Sequence, residues 1–192
     1  MYIDKKLFNQ YKKTIQQYYD LRHQLIQKSS DATALSKKAI FALHKGDNKE
    51  ALAYLKKAER SIKEGSKFIK KNEWLKSEGS FAAGLEEYAE AVLFKQYIDG
   101  EPLSKISTPI DIEARIYVAA LCDVLGEVYR HTIKMASKKN IQEVDKAIAF
   151  SDVVISQLLD FNLTKYLRNK FDQAKQAHRK MELISYELRL RM

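Results

Sequence analysis

The sequence predicts an all-α fold, a single-domain bundle of six to seven long helices spanning residues 1–192. Three observations support this class. Apolar residues recur at helical spacing almost throughout the chain. There are only six glycines and two prolines, and both prolines, Pro102 and Pro109, fall in one short segment. No segment alternates apolar and polar residues for long, so no strand is expected.

The helix boundaries follow from the apolar pattern and its interruptions. The first helix begins near Leu7 and runs past Leu43. Gly46 is placed to end it, and Asp47 to cap a second helix with Glu50 closing a capping box. The remaining predictions are helices over 48–71, 73–98, 110–138, 141–160 and 163–191, with the clearest loop at 99–109.

Charge and cysteine content restrict the class of protein. The net charge of +9 comes from 34 Lys and Arg against 25 Asp and Glu, and it favours a polyanionic partner, either nucleic acid or an anionic membrane. A lysine-rich surface without such a partner is the alternative. The single cysteine, Cys122, allows no intrachain disulfide. Without a signal peptide or an apolar run of roughly 18 residues, we expect a cytoplasmic protein with no membrane partner.

An acidic cluster stands out in the stretch GLEEYAEAVLF, residues 84–94. At 100° per residue, Glu86, Glu87 and Glu90 share one side of the third helix. Glu86 and Glu90 form an i, i+4 pair of like charges, which is unfavourable in an isolated helix. No lysine of the same helix lies where it could neutralise them, and Lys95 points elsewhere.

A second carboxylate pair lies in the next helix, within YVAALCDVLGEVYRHTIK, residues 117–134. Asp123 and Glu127 are also spaced i, i+4, and mostly apolar residues surround them. Arg130 and Lys134 continue the same face, so that one stripe carries two carboxylates followed by two cations.

Two carboxylate pairs that faced each other inside a bundle would need a cation or protons between them. Carboxylate oxygens suit hard divalent ions such as Mg²⁺ or Mn²⁺, and such an ion could activate water beside a phosphodiester. In the alternative, Glu127 pairs locally with Arg130, Asp123 bonds locally, and the glutamates face water. Spacing alone leaves both interpretations open.

The sequence gives little indication of a histidine, cysteine or phosphate-loop site. The four histidines show no metal-ligand spacing, and His131 is better suited to a surface or phosphate contact than to catalysis. Cys122 lacks a thiolate-activating pattern and is expected in the core. No glycine-rich phosphate loop is present.

Several segments together resemble a known family. They are SKKAIFALHK (36–45), GLEEYAEAVLF (84–94), TPIDIEARIYVAALCDVLGEVYR (108–130) and the long final segment 163–191. In collinear order they are similar to the translin family, specifically to its translin-associated factor X branch. The first 20 residues add little to the match. The short loop before Pro109 resembles that of a compact prokaryotic-type member.

The resemblance implies a translin-like bundle of seven helices that binds single-stranded RNA and DNA and assembles as an octamer. In the factor X branch it implies a Mg²⁺-dependent endoribonuclease. Matched by position, the metal-binding and catalytic acids fall on Glu87, Glu90, Asp123 and Glu127, whereas translin itself lacks the acid matching Asp123. Glu86 is then an extra neighbour. A prokaryotic-type chain is expected to form a homo-oligomer without a translin partner.

The main hypothesis is therefore a Mg²⁺- or Mn²⁺-dependent endoribonuclease that cleaves single-stranded RNA within a helical oligomer. Arg130, Lys134, Lys70 and Lys71 are the candidate phosphate contacts. A non-catalytic protein that binds single-stranded RNA or DNA is the second hypothesis. A helical protein–protein adaptor is the third.

Overall fold

The all-α prediction is confirmed by the computed structural model, which describes residues 3–106, 108 and 111–190. The described part holds six α-helices, a short 3₁₀ helix at Glu73–Ser77, and no strand. The α-helices are α1 (Lys5–Lys45), α2 (Asn48–Lys71), α3 (Gly79–Asp99), α4 (Ala114–Ser137), α5 (Ile141–Leu159) and α6 (Lys165–Leu190).

The predicted turn between the first two helices is present. Gly46 ends α1 with φ of 84°, in the left-handed region that favours glycine. Asp47 caps α2, because its Oδ1 accepts a hydrogen bond of 2.8 Å from the backbone N–H of Glu50. The Glu50 carboxylate instead accepts from the Tyr54 hydroxyl at 3.1 Å. Only half of the expected capping box is therefore formed.

Two predicted helix starts were wrong. The third helix begins at Gly79 rather than near residue 73, because Glu73–Ser77 forms a separate 3₁₀ turn. Asn72 caps that turn by accepting a hydrogen bond from the N–H of Trp74 at 3.0 Å. The fourth helix begins at Ala114, since residues 111–113 are not helical. Pro109 and residue 110, where that helix was expected to start, lie outside the described residues.

The helices enclose two apolar clusters that meet at α4. The larger cluster joins α1 through α4 and includes the fully buried Leu25, Leu93 and Phe94. The smaller one joins α4, α5 and α6 around Leu125 and Phe171. Because α4 packs on α3 and on α6, side chains of all three helices meet beside the acidic face of α3.

A close approach of α1 and α3 explains the glycine of the GLEEYAEA stretch. A Cβ on Gly84 would lie 3.1 Å from the backbone oxygen of Ser29 in α1. The missing side chain lets the backbones of the two helices approach each other closely, and the C-terminal half of α1 then lies along α3. None of the helices in the described ranges is long and apolar enough to cross a membrane.

Candidate metal centre

The four predicted acids come together where α3 packs on α4. Burial, and after it the nearby charges of Asp123, Glu87 and Glu127, together raise the pKa of Glu90 from 4.5 to about 8. The two carboxylate pairs therefore lie close enough for their charges to interact, which the spacing of each pair could not establish. Among the described residues, Glu90 has no hydrogen-bond or ion-pair partner.

A cleft of about 380 Å³ opens beside three of these acids, Glu87, Glu90 and Glu127. The rest of the cleft is lined by Lys37, Ile40 and Phe41 of α1, and by Arg130 of α4. Asp123 does not line the cleft. The cleft thus brings carboxylates and two cations to one solvent-accessible place.

Glu127 is held by a histidine from the end of α1. His44 Nε2 lies 2.5 Å from Glu127 Oε2, and the Nη1 of Arg130 donates to the same oxygen at 3.0 Å. Burial favours the neutral acid, but the hydrogen bonds from His44 and Arg130 outweigh it and lower the pKa of Glu127. Glu127 is therefore a carboxylate at neutral pH, and it forms the i, i+3 pair with Arg130 that its spacing allows.

Asp123 faces α6 rather than the cleft. Lys170 Nζ lies 2.5 Å from Asp123 Oδ2 and 3.0 Å from Glu86 Oε1. The hydroxyl of Tyr166 donates to the same Glu86 oxygen at 2.6 Å. Burial raises the pKa of Asp123 above its ordinary value, although Lys170 opposes this. Glu86 thus shares a lysine with Asp123 and belongs to the same charge network.

The cations that the α3 sequence lacks come from other helices. Lys37 of α1 pairs with Glu87 at 3.2 Å, and Lys170 of α6 pairs with Glu86. Lys95 bonds to Asp99 and so points away from the cluster, as predicted. The acids are partly neutralised by tertiary contacts that no spacing within α3 could indicate.

The donor set fits a hard divalent cation, although its side chains are not arranged around one. Within 3–106, 108 and 111–190, no three of the His, Cys, Asp and Glu residues converge as ligands. Lys37, His44, Arg130 and Lys170 hold the other acids, while Glu90 stays half-buried and unpaired between like charges. An unpaired carboxylate beside three others is the environment that a divalent ion stabilises.

The four predicted phosphate contacts fall in different places. Arg130 is exposed at the rim of the cleft. Lys134 is half-buried and donates from Nζ to the backbone carbonyl of His44 at the end of α1. Lys70 and Lys71 are exposed at the far end of α2.

Lys70 and Lys71 lie far from the acids, because the 3₁₀ turn that follows them packs on the N-terminal half of α1. Trp74 in that turn packs on Tyr18, with ring centroids 5.9 Å apart. Lys37 lies 19 residues further along α1, which is about 28 Å of helix. Arg130 therefore belongs to the cleft, whereas Lys70 and Lys71 do not.

Two further side chains lie away from the cleft chemistry. Cys122 is buried, as predicted, and burial raises the pKa of its thiol to about 12, so it is an unreactive core residue. His131 is half-buried with its ring edge against Tyr97, and burial lowers its pKa. Its Nδ1 has no hydrogen-bond partner among the described residues.

Sequence reasoning assigned no role to Lys37, His44, Tyr166 and Lys170. All four lie in segments that carry the family resemblance, 36–45 and 163–191. Their position in those segments was the one sequence feature that could have marked them as candidate site residues. The pairing of each with a particular acid depends on helix packing and was not accessible from spacing.

Comparison with known proteins agrees with this architecture. The model of the translin family matches residues 20–192. The chain is 30% identical over 156 residues to the translin-associated protein X homolog of Schizosaccharomyces pombe, an alignment covering 74% of this chain and 68% of that protein.

Solved structures share the fold. The crystal structure of apo-NeC3PO has a TM-score of 0.86 at 23% identity, over 98% of this chain and 99% of that one. The AfC3PO–duplex RNA complex has a TM-score of 0.83 at 18% identity, over 95% and 96%. From the family match and the relative in Schizosaccharomyces pombe, the chain belongs to the translin family, in its translin-associated factor X-like branch.

Proposed function

We propose that this protein is a Mg²⁺-dependent endoribonuclease that cleaves single-stranded RNA within a helical oligomer. The observation that carries the proposal is Glu90, a half-buried carboxyl group without a hydrogen-bond or ion-pair partner, close to Glu87, Asp123 and Glu127. A structural cluster gains nothing from such a group, because burying it with like charges is costly. A site that receives a divalent cation does gain from it.

The proposed ligands are Glu87, Glu90, Asp123 and Glu127, with Mg²⁺ or Mn²⁺ as the cation. When bound, the cation would lower the pKa of water and neutralise charge that develops on the phosphodiester. Asp123 must turn from Lys170 to join the other three acids, since it is the acid that does not line the cleft.

The side chains around the acids have separate tasks in this proposal. His44 fixes the orientation of Glu127 through the bond between their side chains. Arg130 and Lys37 lie exposed on the cleft wall, where they can contact the phosphates on either side of the cleaved bond. Glu90 holds a proton near neutral pH and releases it when a cation arrives.

RNA as the substrate is supported by the net charge of +9 and by the structural similarity to AfC3PO, which was solved with duplex RNA. The single-stranded preference, and binding of single-stranded DNA, follow from the family resemblance.

Assembly as a homo-oligomer, an octamer by the same resemblance, is supported by exposed apolar side chains on the terminal helices. They include Phe8, Tyr11 and Tyr19 on α1, and Tyr186 and Leu190 on α6.

Cleavage of a labelled single-stranded RNA in Mg²⁺ tests the proposal. Asp123→Ala and Glu127→Ala should each abolish cleavage, while RNA affinity measured by fluorescence anisotropy is retained. Asp99→Ala is the matched control, because Asp99 is an acid on α3 that pairs with Lys95 outside the cluster. Cleavage that persists in both test variants would exclude this site. Steeply salt-dependent binding without cleavage in Mg²⁺ or Mn²⁺ would instead favour a non-catalytic RNA- and DNA-binding protein.

A further inference from the structure

Lys170 bridges two carboxylates that belong to different helices. Its ammonium group lies between Asp123 of α4, at 2.5 Å, and Glu86 of α3, at 3.0 Å. The side chain is 19% exposed, and its Nζ lies 5.3 Å from the centroid of the Tyr166 ring. Two carboxylates, one hydroxyl-bearing ring and one lysine thus form a compact group beside the cleft.

The contacts of Lys170 divide the five acids into two sets. Glu86 and Asp123 share the lysine, while Glu87, Glu90 and Glu127 line the cleft. Glu90 is left unpaired although Asp123 is near enough to raise its pKa. A single positive charge therefore holds one proposed ligand away from the other three.

We propose that Lys170 is an internal competitor of the divalent cation for Asp123. The inference rests on the proposed metal site. A divalent ion bound by Asp123 would repel an ammonium group that remained on the same carboxylate. The lysine has a flexible stem and a second partner in Glu86, so it can release Asp123 without losing all charge compensation.

Glu86 therefore acts as the alternative partner of Lys170. It is not one of the four proposed ligands, and the Tyr166 hydroxyl holds its carboxylate in place at 2.6 Å. Binding of the cation moves Lys170 from a shared position to Glu86 alone. The affinity of the site for metal then depends on the competition between the Lys170 ammonium group and the divalent ion for Asp123, as well as on the acids.

The test measures Mn²⁺ binding to the full-length protein, by the loss of the free-ion signal in electron paramagnetic resonance. Lys170→Gln removes the charge but keeps a hydrogen-bond donor, and it should bind Mn²⁺ about tenfold more tightly than the wild type. Lys170→Arg keeps the charge and should remain close to the wild type. Lys175→Gln is the matched control, because Lys175 also pairs with an aspartate, Asp172, and lies over a ring of α6.

Thermal unfolding supplies a second readout that does not depend on activity. Without metal, Lys170→Gln should melt at a lower temperature than the wild type, because Asp123 and Glu86 lose their cation. Saturating Mn²⁺ should raise its melting temperature by more than that of the wild type.

A double-mutant cycle tests the alternative-partner role of Glu86. Glu86→Gln should weaken Mn²⁺ binding, because Lys170 then has only Asp123. The same substitution in the Lys170→Gln background should have no effect on Mn²⁺ binding. An equal loss in both backgrounds would make Glu86 a direct ligand and overturn its assignment as a partner of Lys170.

The outcomes separate this inference from the proposed function. If Asp123→Asn removes Mn²⁺ binding but folded Lys170→Gln binds no more tightly than the wild type, Lys170 is not a competitor and the metal site stands. If neither the wild type nor Lys170→Gln binds Mn²⁺ in a manner that Asp123→Asn abolishes, both the competition and the metal site are excluded.

Discussion

Glu127 of α4 and His44 near the end of α1 lie 83 residues apart in sequence, and their side chains meet at 2.5 Å. Lys134 strengthens this junction by donating to the backbone carbonyl of His44. A cation at a helix C-terminus also stabilises the helix dipole. The position of Glu127 at the cleft therefore depends on how α1 ends.

Replacing His44 by Asn should weaken Mn²⁺ binding and Mg²⁺-dependent cleavage by about 10- to 100-fold, because Glu127 loses the group that orients it. RNA affinity should be unchanged. Isothermal titration with MnCl₂ and the cleavage assay measure the two effects. His23→Asn is the control, since His23 is exposed on the same helix. Equal activity of the two variants would show that the contact between His44 and Glu127 has no functional role.

The raised pKa of Glu90 predicts how the stability of the metal-free protein depends on pH. Between pH 4.5 and about 8 the folded protein holds a proton on Glu90 that the unfolded chain has lost. This contribution to the free energy of unfolding is complete below pH 4.5 and is lost as pH rises through 8.

Glu90→Gln should consequently match the wild type near pH 5 and exceed it near pH 9, by on the order of 4 kcal/mol. Urea unfolding in EDTA at both pH values measures the difference. A gap that stays constant between the two pH values would mean that Glu90 does not titrate in this range.

Metal binding should be coupled to the same proton. At pH 7 the wild type should release about one proton per Mn²⁺ bound, and its affinity should rise with pH up to about 8, because a ligand carboxylate must be ionised. Titration calorimetry in two buffers with different ionisation enthalpies counts the protons. The Glu90→Gln variant should release no proton when Mn²⁺ binds, because it lacks the carboxyl group that carries the proton. Full proton release by that variant would place the proton on another group.

The basic residues should separate into three kinds by substitution with alanine. Arg130→Ala should lower RNA affinity and reduce the slope of log affinity against log salt by about 0.7, as expected for one lost phosphate contact with a single strand.

Lys134→Ala should cost about 1 kcal/mol of folding stability, because the end of α1 loses a hydrogen bond.

Lys70→Ala and Lys71→Ala should leave Mg²⁺-dependent cleavage of a short RNA unchanged, because both lysines lie far from the acids. Salt-dependent anisotropy and urea unfolding of the four variants test this division. A short-RNA cleavage defect in Lys70→Ala or Lys71→Ala that equals that of Arg130→Ala would contradict the placement of the cleft.

The helices were accessible from sequence because their signals are local. Gly46 and Asp47 marked the boundary between α1 and α2 through backbone conformation and capping, and the structure has both. The start of α3 was wrong because Glu73–Ser77 continues the helical pattern in composition but turns as a 3₁₀ segment under the Asn72 cap. Propensity does not distinguish these two kinds of turn.

The candidate site could be predicted from the sequence only in part, because spacing along one helix does not indicate contacts with other helices. The i, i+4 spacing placed each carboxylate pair on one face of its own helix. It could not indicate that Asp123 turns to Lys170 while Glu127 turns to His44, because these partners lie on α6 and α1. Tertiary packing separates two acids that the helix alone makes neighbours.

The proposed function requires that a divalent cation binds between α3 and α4. Crystals soaked in MnCl₂ and measured at the manganese absorption edge test it most directly. We expect an anomalous difference peak that bridges Glu87 or Glu90 of α3 to Asp123 or Glu127 of α4, with Lys170 displaced from Asp123 towards Glu86. Well-ordered side chains without an anomalous peak, and with Lys170 still on Asp123 at saturating Mn²⁺, would contradict it.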